Sequence, residues 1–424
     1  MTRLGFVRAC GTVAAPALLA AFTALLVACG GGGDNFSGTS GVSTGGEAPP
    51  TSSGPAPATY TLGGTISGLE QDGLVLTNGT DTLAVAQGAT TFTMPVAVSA
   101  GSSYELGVQT QPAWGHCTVT GGSGMVQAAV SDIVVACSPS VQVTTVAGNG
   151  FFGTDDGTGA DASFSYPQGI ARLSTGDFFI ADYSAGAGSI RKMTANGVVT
   201  TVPKGACTTP RNVAVDAQDN LYVVNVATTV CKITPQGVET PLDTSSHSPG
   251  FVVVDRSGNL FVGDVLENVI RKLTPSGDVS DFAVGIFTDL NAMAIDKDDN
   301  IYVADANKIR KITPQGEVST VAGGDGSGNA DGPVASATFY QPSGLAVASD
   351  GTVYVSDSGN NRIRMISSSG VVTTLAGGDD YGFTDGSGTQ ATFDYPAGLT
   401  LDAAGALYVV DKQNSAIRKI SNEQ

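Results

Sequence analysis

Histidine is nearly absent from this chain. The 424 residues hold two, His116 and His247. That scarcity leaves little for histidine general-base chemistry, and neither histidine sits in a closely spaced metal-ligand pair. Basic residues are also few: 20 Lys and Arg stand against 38 Asp and Glu, a formal net charge of −18. A surface of that sign repels phosphate backbones, so nucleic-acid recognition is a poor fit. An anionic bilayer is equally unattractive unless a lipid does the anchoring. Helical stripes are scarce, and no Gly-rich phosphate loop or Ser-His-Asp order stands out. What the chain does have is apolar content of 41%, enough for a sizeable core, and 57 glycines. Its length suggests more than one domain.

The N-terminus reads as an export signal over residues 1–28. Arg3 and Arg8 form a basic start, followed by the apolar run AAPALLAAFTALLVA. This run is too short for a confident membrane span. The tetrapeptide Leu26-Val27-Ala28-Cys29 resembles a bacterial lipobox. That resemblance implies a diacylglycerol on the Cys29 thiol and stable anchoring by two or three acyl chains. With Gly30 after the cysteine, the same resemblance implies the outer membrane, if the host has one. Plain secretion is the alternative. Arg3 and Arg8 are the only charges before Cys29, so the mature chain would keep 18 basic against 38 acidic groups, a net of −20. Residues 29–58 then form a lipidated cysteine and a Gly/Ser/Pro-rich tether. Of the six cysteines, Cys10 leaves with the signal. Cys117, Cys137, Cys207 and Cys231 remain, an even number in an oxidising compartment, which suggests two disulfides. Cys117–Cys137 with Cys207–Cys231 is the local pairing among three.

Residues 59–139 contain short alternating or β-branched runs such as TYTLGGTISGL, GLVLTNG and DIVVACS, separated by Gly- and Asn-rich turns. This pattern predicts a small β-sandwich, loosely similar to immunoglobulin-like modules of bacterial surface proteins. His116 reads there as an ordinary surface histidine.

From 141 onward the chain repeats. PQGIARLSTGDFFIAD, PRNVAVDAQDNLYVVN, PGFVVVDRSGNLFVGD, LNAMAIDKDDNIYVAD, PSGLAVASDGTVYVSD and PAGLTLDAAGALYVVD are six copies of one unit. Four short strands per unit at a period of roughly 40 to 54 residues point to a β-propeller. Asp357-Ser-Gly-Asn-Asn-Arg-Ile-Arg364 closely resembles the NHL-repeat signature, and the stretches at 264–271 and 411–418 match well. The resemblance implies an all-β, six-bladed NHL-type propeller over 141–424, behind the immunoglobulin-like domain. It does not imply one activity, because the fold hosts many.

The recurring residues suit structural work. The column Phe179, Tyr222, Phe261, Tyr302, Tyr354 and Tyr408 should pack between blades. Arg191, Arg271, Arg310, Arg364 and Arg418 each follow their blade's Asp and suit carboxylate clamps. Cys231 replaces the arginine in the second unit, where a bond to Cys207 could stand in for the clamp. The sequence VTTVAG at 143–148 copies the fourth strand of later units but precedes the first. The sixth unit lacks that strand, so Val143–Val146 should complete it and close the ring. Deleting 141–147 is then expected to destabilise the propeller, and deleting 30–139 is not.

Three inter-unit loops, 148–166, 323–341 and 377–395, are long and align without gaps. They carry Asp156-Gly157, Asp331-Gly332 and Asp385-Gly386, then Phe164, Phe339 and Phe393 eight residues later. They should crowd over one half of a face. Phe151, Phe152, Asp155, Asp379, Asp380, Tyr381 and Phe383 decorate them unevenly and suit sugars or peptides. The same carboxylates also suit Ca²⁺, the one cofactor considered. Metal-dependent hydrolases of this propeller type need axial carboxylates, yet the matching positions are Gln168, Arg211, Asn212, Gly250, Asn291, Ser343 and Ala397. No catalytic residue is assigned. The leading expectation is a lipid-anchored, non-enzymatic envelope protein that binds a protein, peptide or glycan. A metal-dependent hydrolase or lactonase and a purely structural envelope protein are the rivals.

Overall fold

The computed structural model describes residues 57–422, apart from 70, 184–187, 204, 206–208 and 226–228. Cys29, its flanking signal and Cys207 lie outside the described residues.

Alternating hydrophobicity and frequent turns give strands throughout; the described residues include three single-turn 3-10 segments and no α-helix. The first part of the described chain builds two four-stranded sheets and a two-stranded ribbon. One sheet centres on Leu62–Ser67, paired in parallel with Val130–Pro139. The other centres on Leu74–Asn78 and Ser103–Thr110. Leu62, Leu74, Leu76, Ile133 and Val135 form their shared core. Cys117 and Cys137 are directly opposed across a strand pair and are disulfide-bonded, as the local pairing expects.

The repeats form six antiparallel sheets of four or five strands. Their innermost strands are Pro167–Arg172, Pro210–Val215, Pro249–Val254, Leu290–Ile295, Pro342–Val347 and Pro396–Leu401, defining sheets 1 to 6. Each innermost strand abuts that of the next sheet, and sheet 6 abuts sheet 1, so the ring closes. Proline opens five of these strands, the one strand position where a missing N–H is cheap. The second strands of sheets 2 to 6 are buried along their whole length. They read as continuous apolar runs because neighbouring sheets cover both of their faces.

The early VTTVAG copy lies where the missing strand was expected. Val141–Ala147 pairs antiparallel with Ala416–Asn422, placing Val143 opposite Ile420. Val141, Val143 and Ala147 are buried. The ring is therefore closed by hydrogen bonds between its two chain ends and leaves no open edge at that seam.

The first part of the chain is more than an appendage. Trp114, the only tryptophan, is buried in one cluster with Val141, Val143, Tyr354 and Leu375 of the ring. Its indole N–H donates to the Tyr354 hydroxyl at 2.8 Å. Ser369 and Gln87 add a polar contact between the two parts. Sequence periodicity describes each part separately, so it could not show this wedge.

Candidate functional site

The three long loops fold back along the outer edge of the sheets they enter. Gly157–Thr158, Gly332–Pro333 and Gly386–Ser387 each add a short fifth strand beside the fourth. The aspartate before each of these strands does more than turn the chain. Arg191, Arg364 and Arg418 are fully buried, and each bridges two carboxylates. Arg418 reaches Asp411 and Asp385, both at 2.7 Å. Arg191 reaches Asp156 at 3.0 Å and Asp182 at 3.3 Å. Arg364 joins Asp357 and Asp331 in the same way. The guanidiniums also donate to loop carbonyls such as Thr384 O and Thr392 O. Phe164, Phe339 and Phe393 cap them at 5.1 to 5.3 Å. These arginines are clamps, as expected, and they hold the loops as well as their own strands. Sheets 3 and 4 lack long loops, and Arg271 and Arg310 there are partly exposed.

The loops do meet one another. Asn329 donates to Asp379 at 3.1 Å, and the Phe383 ring stands beside Gly150. Phe151, Phe152 and Tyr381 are 75%, 65% and 75% exposed, the open aromatic surface that the sequence suggested. The acidic members are exposed too, and two of them have partners. Asp155 is held by the Ser163 hydroxyl, and Asp379 is paired with Arg362. The Phe383 ring packs on Arg418. Asp380 is exposed. The only described group of three metal-ligating side chains is elsewhere: His247, Asp264 and Glu267. Its members are already engaged. Asp264 accepts from the Ser246 hydroxyl and from four backbone N–H groups, those of His247, Ser248, Leu266 and Glu267, and Glu267 is paired with Arg271.

A second site lies on the ring axis, and the sequence reasoning did not single it out for binding. The innermost strands surround a cavity of about 510 Å³, within the range of small-molecule sites. Gln168, Arg211, Asn212, Asn291, Ser343 and Ala397 line it, as their position in the repeat requires. Arg172, Tyr395 and Lys412 line it as well. No Asp, Glu or His is among the lining residues. Amide oxygens can ligate a hard divalent ion, but a lining with three cations and no carboxylate to balance its charge does not fit one.

Arg211 and Lys412 stand near the mouth where the innermost strands begin. Burial pulls the Arg211 guanidinium below its usual value, with Tyr183 opposing. Burial, then the charge of Arg211, lowers the Lys412 ammonium. Lys412 lies 4.7 Å from the centre of the Tyr166 ring and 5.5 Å from that of Tyr395. Gln413 donates to the Tyr166 hydroxyl, and the Tyr395 hydroxyl donates to Gln341. The signal in the sequence was the arginine at one axial position, visible only when the six units are stacked.

The family model for the NHL repeat matches residues 339–364. A 94-residue stretch is 39% identical to protein SUPPRESSOR OF QUENCHING 1, chloroplastic, of Arabidopsis thaliana, covering 22% of this chain and 9% of that one. NHL repeat-containing protein 2 of Gallus gallus is 38% identical over 96 residues, covering 20% of this chain and 13% of its own length. These matches thus span a small part of the curated relatives. Among solved structures, a structural genomics protein of unknown function from Bacteroides thetaiotaomicron aligns with a TM-score of 0.60 at 21% identity, covering 82% of this chain and 90% of that one. An auxiliary nutrient binding protein from Bacteroides ovatus aligns with a TM-score of 0.59 at 14% identity, covering 86% and 98%. At such identities the likeness is one of fold. The chain thus carries an NHL-repeat match over residues 339–364, and its closed ring of sheets shares its fold with these neighbours.

Proposed function

We propose that this chain is a lipid-anchored, non-enzymatic binding protein of the cell envelope. In this reading Cys29 carries the lipid and residues 30–58 form the tether. An immunoglobulin-like sandwich over 59–139 then supports a six-bladed propeller over 141–424. Cys231, buried and accepting a hydrogen bond from Asn225 at its sulfur, would be paired with Cys207. The propeller presents its long-loop face and axial mouth to a protein, peptide or glycan.

One observation carries the reading: the axial cavity is polar and open, yet its described lining holds no carboxylate or histidine. Such a lining supplies hydrogen bonds and positive charge but no carboxylate or imidazole for acid–base work or for an axial metal. The exposed Phe151, Phe152 and Tyr381 offer stacking surface on the long loops. The neighbour named an auxiliary nutrient binding protein is in keeping with a binding role for this fold.

The test is a glycan and peptide binding screen with wild type and with a variant whose 148–166 and 377–395 loops are shortened. The expected result is at least one ligand that wild type retains and the variant loses. A screen without any hit, or a metal-soaked structure with an axial ion on three or more side chains, would overturn it. Cell fractionation of Cys29→Ser should move the protein from the membrane to the soluble fraction.

A further inference from the structure

We propose that the axial mouth binds a small hydroxylated carboxylate, of the uronic-acid type, with its carboxylate between Arg211 and Lys412. This rests on the binding reading above and assigns the ligand's chemistry. The chain has a net charge of −18, yet the three ionisable cations of the axial lining, Arg172, Arg211 and Lys412, face no carboxylate there. Every arginine clamp described above is paired. Arg211 and Lys412 make no ion pair with any described residue. Two like charges held together in partial burial raise the free energy of the empty site. An anion between them removes that repulsion and gains two charge-assisted hydrogen-bonding partners.

The surroundings set the rest of the ligand. Gln168, Asn212, Asn291 and Ser343 line the same cavity and suit hydroxyl groups. The Tyr166 and Tyr395 rings, set against Lys412, offer faces for a sugar ring. A polyanion would be repelled by the acidic exterior before it reached the mouth. A singly charged acid is repelled little, and a cavity of about 510 Å³ holds one or two sugar rings.

The experiment is isothermal titration of the full chain with galacturonate and with galactose, for wild type, Arg211→Gln and Lys412→Gln. Wild type should bind galacturonate at least tenfold more tightly than galactose, with affinity falling as salt rises. Each glutamine variant should lose at least tenfold for galacturonate and change little for galactose. Arg211→Gln relieves repulsion and should not melt below wild type; Lys412→Gln also gives up its contacts with Tyr166 and Tyr395, so an unchanged circular dichroism spectrum separates its lost binding from lost folding. Equal affinity for the two sugars, unaffected variants, or no galacturonate binding would each overturn the inference. If the loop-dependent screen still returns a ligand, the binding reading survives that failure; if it does not, both fall.

Discussion

Replacing Trp114 by alanine probes the joint between the two parts of the chain. The side chain is 5% exposed. It packs edge-on against Tyr354, with ring centres 6.1 Å apart, and its N–H donates to the Tyr354 hydroxyl. A buried tryptophan removes about 200 Å² from water. At about 25 cal/mol per Å² that is roughly 5 kcal/mol, an upper figure because unfolded chains already bury some area. Aromatic truncations in cores cost about 3–5 kcal/mol, and the hydrogen bond adds about 1 kcal/mol. Trp114→Ala should therefore lose about 3–5 kcal/mol in urea unfolding followed by circular dichroism. Tyr354→Phe keeps the packing but orphans the indole N–H, so it should lose about 1–3 kcal/mol. As the chain's only tryptophan, Trp114 also reports directly: its native emission should be blue-shifted and shielded from acrylamide. A loss within 0.5 kcal/mol of zero for Trp114→Ala, with a freely quenched wild-type tryptophan, would refute the reasoning. It would restore the simpler expectation that 30–139 can be removed without consequence.

Four further substitutions test the clamps, the seam and one buried carboxylate. Arg418→Ala leaves the fully buried Asp411 without its cation, so it should cost about 3–5 kcal/mol. Arg310→Ala, in a sheet without a long loop, leaves the buried Asp305 with two backbone N–H donors and should cost about 1.5–3 kcal/mol; a loss equal to that of Arg418→Ala in urea melts would contradict the role given to the loops. Val143→Asp places a charge in the buried seam between the chain ends and should cost more than about 3 kcal/mol; an unchanged melting temperature would show that this strand does not close the ring. Burial works against the Asp264 carboxylate, but N–H groups of Glu267, Ser248 and His247 and the Ser246 hydroxyl hold it down at about 2. Its folded value lies below the ordinary 3.8, so its contribution is complete above about pH 4 and fades as pH falls toward 2. That contribution is about 1–2 kcal/mol after allowing for solvent screening, and acid titration of Asp264→Asn should show a shallower loss over that window.

Much of the ring was legible because its problems repeat. Every unit needs an apolar second strand, an aromatic between sheets and a turn between its first two strands, so the same residue types recur at one spacing. The misplaced VTTVAG was legible for the same reason, as a fourth strand without a unit. The loop aspartates were harder. Asp156, Asp331 and Asp385 read as turn formers beside glycine, because the arginines they hold lie 33 to 35 residues away. Asp155 and Asp379 are exposed, and what the sequence did not show is that each has a partner, Ser163 and Arg362. The axial site was missed for a related reason: Arg211 and Lys412 are about 200 residues apart in a chain of 424, in two different units, and carry no shared motif.

The sequence by itself determined the strands, the repeat, the closing strand and the local Cys117–Cys137 pair, because each depends on periodicity or short range. The tertiary structure alone decided where Trp114 docks, which carboxylates are occupied, and that the axis of an acidic protein is lined by cations. Those are matters of which distant side chains share one small volume. Closing the ring brings together residues that no window along the chain contains, and burial there changes what each charge costs.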